Sequence, residues 1–198
     1  NNYHPHAREM EHDSALDPAR AASVLQAGFF LKATSSLVGP SQGIAQRFLD
    51  RRTDHELELV AVIGRKIDRP VAADEALDYV AGYSLGLDIT LRGPEERSLR
   101  KSIDSYTVLG PWLVTADEVG DIGQLSMSLS LNGTRRQHAA LSDQVATIGE
   151  QLELASQFYT LYPGDLIYTG TPDGVGPIAP GDRIEVESAA IGTMEESV

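Results

Sequence analysis

Three side chains invite chemistry first: Glu56 and Glu58, two residues apart in the run DHELELVAVIG, and Asp88, further on in GYSLGLDITLR. In a strand, residues two apart leave the backbone on the same face, roughly 6 to 7 Å from one another, so Glu56 and Glu58 project together. Two anions on one face repel, and beside Leu57, Leu59 and Val60 partial burial makes uncompensated charge expensive. A bound cation removes the conflict. If Asp88 approaches from a neighbouring strand, the three carboxylates form the hard oxygen site that Mg²⁺ or Mn²⁺ prefers, with positions left for water and substrate. The plain alternative is a solvated strand face carrying alternating Glu. Spacing alone favours that alternative, because two carboxylates are not a metal motif.

The elements that must position these residues can be read in outline. DHELELVAVIG alternates and then runs apolar to Ile63 and Gly64, a strand with one polar end. VAADEALDYV reads as a short helix opened by Asp74, and AGYSLGLDITLR as the strand that carries Asp88. In QLSMSLSLNGTRRQH, Leu125, Met127, Leu129 and Leu131 alternate with Gln124 and serines before Asn132-Gly133, which predicts a hairpin with one packed and one wet face. Ser142 is the expected cap of a helix running to about Tyr159, with Val145, Ile148, Leu152, Leu154 and Phe158 on its apolar side and Pro163-Gly164 ending it. The tail DLIYTGTPDGVGPIAPGDRIEVESAAIG reads as strand, Gly/Pro-rich loop, turn and strand. Without repeats or low-complexity tracts, the fold class is a β-rich α+β.

The 198 residues, 41% of them apolar, suit one domain spanning 1–198. The 29 acidic against 16 basic side chains leave a formal charge of −13, which repels phosphate backbones and anionic lipids. Nucleic acid and membrane are therefore not expected as partners. An anionic small molecule binds only where a metal or local Lys and Arg reverse the field. The chain has no cysteine, so disulfides, thiolate metal sites and cysteine nucleophiles are excluded, in keeping with a cytoplasmic location. Residues 1–26 are polar, His-bearing and weakly patterned around Pro5 and Pro18, and read as a mobile lid. Since the first residue is Asn1 rather than Met, a further N-terminal segment is expected upstream.

Beyond these local signals, NYHPHAREM, FFLKATSSLVGP, DHELELVAVIG, GYSLGLDITLR, RKSIDSYTVLGPWLVTADEV and PGDLIYTGTPDGVG follow one another as in the fumarylacetoacetate hydrolase family, which the chain resembles over nearly its whole length. The resemblance implies a mixed β-sandwich roll, usually a homodimer, with a divalent ion on Glu56, Glu58 and Asp88. It makes His6 and Glu9 a catalytic dyad on a segment that orders over the substrate. Their spacing agrees, since residues at i and i+3 meet on a helical turn and Glu9 can hold the His6 tautomer. It also implies that Lys101 faces the reacting carbonyl, and that Lys32, Arg92 and Thr171 contact substrate. Two departures stand out. After Asp88 many relatives read S/T-x-R-D-x-Q, whereas ITLRGPEER keeps Arg92 but places Gly93 and Glu95 where Asp and Gln often stand. Leu87 replaces the Asn frequent before the metal Asp.

The activity that follows from the resemblance is metal-dependent hydrolysis of a carbon-carbon bond in a small 2,4-dioxo acid, of the acylpyruvate or fumarylpyruvate type met in aromatic-compound catabolism. Isomerisation of a 2-hydroxymuconate-type dienoate and decarboxylation of a 2-oxo diacid use the same electron sink and stand as alternatives. A ligand-binding scaffold that kept the fold is the reading from another class. His6 and Glu9, needed to activate water, put hydrolysis ahead.

Overall fold

The computed structural model describes Asn2, Tyr3 and residues 28–198. Its largest sheet is mixed and runs in the order β1 (Leu37–Val38), β6 (Thr107–Leu109), β4 (Val80–Asp88), β3 (Leu57–Ile63) and β10 (Leu166–Tyr168), with β7 (Val114–Thr115) paired to the other end of β4. β1 lies parallel to β6, and the remaining pairings are antiparallel. A four-stranded antiparallel sheet, β13 (Gly192–Ser197), β12 (Arg183–Ser188), β8 (Ser126–Leu131) and β9 (Thr134–Ala140), packs on it through β8 against β3 and β12 against β4. A third, three-stranded sheet joins β11 (Gly176–Pro177), β2 (Thr53–His55) and β5 (Thr90–Leu91). Among the described residues, four short α-helices flank them: α1 (Ala73–Ala76), α2 (Arg97–Lys101), α3 (Ala116–Val119) and α4 (Ile148–Phe158). The architecture is the expected α+β class.

β3 sits between β4 and β10 with the second sheet packed on it, and residues of both its faces are buried. Leu57, Leu59, Val60, Ala61 and Ile63 are all buried. That is why the stretch reads as nearly continuous apolar sequence after its first residues. The run expected as one strand is in fact broken at Glu56: β2 pairs with β5 and β11, while β3 enters the large sheet. The neighbouring strand breaks at the same level, where β4 ends at Asp88 and β5 begins at Thr90. Paired strands thus leave one sheet and enter another together, and Glu56 and Asp88 face each other across that corner, the Asp88 amide donating to the Glu56 carbonyl at 2.9 Å.

The hairpin is present, β8 and β9 joined by Asn132 and Gly133 at φ 52° and 75°, the double positive φ that this two-residue turn requires. Two helix starts differ from expectation. Ala72, not Asp74, occupies the N-cap of α1, and Asp74 lies in its first turn, where a carboxylate favours the helix dipole. Thr147, not Ser142, caps α4: its hydroxyl accepts from the Glu150 amide while the Glu150 carboxylate takes the Thr147 amide. Ser142 lies in a preceding 3₁₀ turn, Leu141–Asp143, because the reciprocal Thr-x-x-Glu pair satisfies two backbone donors where Ser142 has no such partner. Phe158, placed on the apolar side, is instead exposed, and Ile148, Leu152 and Ala155 form the buried stripe. The helix ends at Phe158, before Pro163-Gly164.

Candidate metal centre

At the corner between the sheets, one oxygen from each of Glu56, Glu58 and Asp88 lies within 4.8 Å of the others, and all three residues are buried. Glu56 and Asp88 share a lysine, whereas Glu58 is held apart from it. Glu56 Oε1 accepts from Thr90 Oγ1 at 3.1 Å and Arg92 Nη2 at 3.0 Å, and its Oε2 accepts from Lys101 Nζ at 2.7 Å. Asp88 Oδ2 accepts from the same Lys101 ammonium at 2.6 Å, and Oδ1 from Lys32 Nζ. Glu58 Oε2 takes only the Gly170 amide, at 2.7 Å, and makes no ion pair among the described residues. Gly170 can point its amide there because it adopts φ +103°, and a Cβ on it would stand 2.6 Å from Cβ of Asn2.

Burial, followed by the negative charge of Asp88, pushes the Glu58 carboxyl up to about 8. A neutral, proton-bearing acid is what three crowded carboxylates adopt when one of them lacks a positive partner. A divalent ion relieves that directly. The donor set contains only hard oxygens, which suits Mg²⁺ or Mn²⁺ rather than a thiophilic metal.

The cations are arranged around the carboxylates. Lys101 closes the last turn of α2, where a positive charge suits the helix dipole. Burial opposes its charge, but Asp88 and Glu56 outweigh burial and hold its pKa above the ordinary lysine value. Two of its three N–H groups are used by the carboxylates, which leaves one, and its Nζ lies 5.3 Å from the Phe30 ring centre. Lys32 gives its three N–H groups to Asp88 and to the carbonyls of Lys101 and Tyr106, the last at 3.1 Å. It therefore offers the cavity charge rather than a free donor. Burial, the larger influence, lowers its pKa despite the contact with Asp88. Arg92 donates Nε to Asp54 Oδ2 at 2.7 Å as well as Nη2 to Glu56, which ties the far side of the corner together. Glu95, at the position of a departure from the family pattern, is paired with Arg51 through two bonds of 2.9 and 2.8 Å.

Beside the carboxylates opens a cavity of 740 Å³, within the range of small-molecule sites, to which Lys32, Arg92, Lys101 and Thr171 all contribute. Thr171 is buried, in the loop after β10, and its hydroxyl accepts from Gln137 Nε2 at 2.9 Å. The structure thus brings Glu56, Glu58, Asp88, Lys101, Lys32, Arg92 and Thr171 together. His6 and Glu9, with the segment 1–26 but for Asn2 and Tyr3, lie outside the described residues. Asn2 nevertheless shows where that segment attaches: its side chain bonds the Thr169 carbonyl at 2.8 Å and both the amide and carbonyl of Ala146. Three contributors were not singled out from sequence. Tyr168 lines the cavity, donates to the Val108 carbonyl at 2.8 Å, and is kept protonated as burial and then Asp88 raise its pKa. His55 and Gln137 lie behind Thr171. Gln137 carried a usable signal, a polar residue on the inward face of a strand, opposite buried Leu129.

A buried carboxylate triad with an attendant lysine at a sheet corner, beside a cavity, is a donor set suited to a divalent cation. The match to known proteins is more specific: residues 1–198 fit the model of the fumarylacetoacetate (FAA) hydrolase C-terminal family, and the chain belongs to that family. It is 53% identical over 196 residues to a maleylpyruvate hydrolase of Aquipseudomonas alcaligenes, covering 98% of this chain and 68% of that protein. A maleylpyruvate hydrolase from Sphingobium sp. SYK-6, solved in complex with manganese(II) and pyruvate, superposes with a TM-score of 0.84 at 38% identity, over all of this chain and 67% of that one. A 4-hydroxyphenylacetate degradation bifunctional isomerase/decarboxylase of Salmonella dublin is 34% identical over the whole of this chain, which spans 45% of its length.

Proposed function

We propose that this chain hydrolyses the carbon-carbon bond of a 2,4-dioxo acid of the acylpyruvate type, maleylpyruvate and fumarylpyruvate included, to pyruvate and a second carboxylic acid. The observation that carries the reading is the buried Glu56, Glu58 and Asp88 cluster with Lys101 bridging two of its members. Glu56, Glu58 and Asp88 would hold Mg²⁺ or Mn²⁺, and the ion supplies Lewis acidity for the carboxylate and 2-oxo group of the substrate.

Charge accounting supports an anionic ligand. Lys32, Lys101, Arg92 and Arg52 pair with Asp88, Glu56 and Asp54, so a chain of net charge −13 gathers cations beside the carboxylates where a divalent ion and an anionic ligand would sit. The remaining N–H of Lys101 is available to the oxygen that gains charge as the bond breaks, a role for preorganised positive charge. Thr171 binds a substrate oxygen, while Arg92 and Lys32 set the local field. His6, held by Glu9, removes a proton from water, which attacks the distal carbonyl. The bond to the pyruvate fragment breaks, its electron pair leaves as an enolate, and a proton returns to carbon. Chain length permits His6 to approach: Asn2 packs on Gly170, whose amide meets Glu58, and the four residues from Asn2 to His6 span at most about 14 Å.

Dienoate isomerisation and oxo-diacid decarboxylation draw on the same electron sink and form the second reading, which the likeness to an isomerase/decarboxylase favours. Substitution of His6 separates the two. His6→Ala should retain Mn²⁺ binding and lose about 10²- to 10⁴-fold in pyruvate release from an acylpyruvate, while any oxaloacetate decarboxylation survives better. Equal loss of both activities would contradict the division of roles. A cytoplasmic enzyme with residues 1–26 as a lid completes the reading. So does a homodimer, for which the exposed neighbours Trp112 and Leu113 offer apolar surface.

A further inference from the structure

Gln137, on β9, is almost wholly enclosed, at 1% exposure, and every hydrogen-bonding position of its amide is used. Nε2 lies 2.9 Å from Thr171 Oγ1 and 2.9 Å from the Pro172 carbonyl, and Oε1 accepts from the Leu57 amide at 2.9 Å and faces His55 Nδ1 at 3.0 Å. The orientation of the amide is fixed at both ends. A proline carbonyl only accepts, so the group beside it is NH₂; a backbone amide only donates, so the group beside Leu57 is the oxygen. Two consequences follow. His55 must carry its proton on Nδ1, which agrees with burial lowering its pKa and with an enclosed Nε2 that has no partner among the described residues. Thr171 Oγ1 is an acceptor toward Gln137, so its own hydrogen points elsewhere, and Thr171 lines the cavity beside the carboxylates.

We propose that Gln137 is a positioning residue that makes Thr171 an obligate hydrogen-bond donor to an anionic oxygen of the ligand. Without the Gln137 N–H, nothing would hold the Thr171 hydroxyl as an acceptor on its inner side, and it could turn its lone pairs to a carboxylate in the cavity, a repulsive arrangement. The fold presses the two parts together. Gly174, at φ +86°, comes so close to β9 that a Cβ there would lie 1.8 Å from the Arg136 carbonyl, which holds the Thr171 loop against Gln137. This inference rests on the metal and oxo-acid reading given above.

The test is calorimetric binding of oxalate, a planar dianion with acceptor oxygens only, to the Mn²⁺-loaded protein. Thr171→Val and Gln137→Met should each weaken oxalate about 10- to 100-fold, the value of a hydrogen bond to a charged group. The double variant should be no weaker than Thr171→Val alone, because both changes remove the same donor. Thr171→Ser should bind like the parent, and the Mn²⁺ affinity of Thr171→Val should stay within about threefold of it, since Thr171 is not bonded to the triad. Additive losses, or parental affinity in Gln137→Met, would overturn the proposal. So would parental affinity in Thr171→Val, an arm that holds even if Gln137→Met does not fold. If the parent protein itself binds neither Mn²⁺ nor oxalate, the metal-site reading falls, and this inference with it.

Discussion

Glu58 is the residue on which the chemistry of the site is most exposed to measurement. Burial and the neighbouring Asp88 raise its pKa to about 8, so near neutrality the carboxyl holds a proton that an arriving cation must displace. The sign is fixed by that direction. Metal affinity should rise with pH up to about 8 and level off above it, and at pH 7 binding should release about one proton. Titration of Mn²⁺ in two buffers of different ionisation enthalpy reads the release, and no release would mean that Glu58 is already ionised or not a ligand. The triad itself could be nominated from sequence because charge amid strand-forming apolar residues is an energetic anomaly. The roles of Lys32 and Arg92 could not be refined in the same way, since only the packed structure shows their donors committed to Asp88, Asp54, Glu56 and nearby carbonyls.

Among the elements, the strand carrying Glu56 shows why local pattern reaches only so far. Alternation in DHELELVAVIG correctly signals strand, but the switch from one sheet to another at Glu56 depends on Asp88, Tyr106 and their pairings far along the chain. The displaced cap of α4 has a local cause instead, because the reciprocal Thr147 and Glu150 pair outcompetes Ser142. Edge strand β13 carries a second misfit. Glu196 is 2% exposed, its Oε2 has no partner among the described residues, and burial lifts its carboxyl to about 7 from an ordinary 4.5. A carboxyl raised by folding binds its proton more tightly in the native state. Its contribution to stability is therefore full below about pH 4.5, declines as pH rises, and is gone above about pH 7. Glu196→Gln should stabilise the protein by about 1–2 kcal/mol at pH 8, after discounting for solvent screening, and by little at pH 4.5. Equal gains in melting temperature at both pH values would assign the effect to packing rather than charge.

For the whole molecule, charge is unevenly spread: Lys32, Arg92, Arg97, Arg100 and Lys101 all line the cavity beside the carboxylates, inside a chain of net charge −13. Residues 1–26 are the part read from sequence and resemblance, and of them Asn2 and Tyr3 are described, Asn2 packing on Gly170. A lid predicts that saturating oxalate with Mg²⁺ slows hydrogen exchange around His6 and Glu9, with much smaller change in the hairpin at Asn132. Unchanged exchange across residues 1–26 would remove it. The chemistry proposed for the site depends on a divalent ion at the sheet corner. The most direct measurement is calorimetric titration of Mn²⁺ into the parent protein and into Glu56→Ala, Glu58→Ala and Asp88→Ala. One ion per chain should bind the parent, and each variant should lose about 10²-fold or more in affinity, because removing one charged oxygen donor leaves a weakly held, hydrated ion. Parental affinity in all three variants would contradict the account.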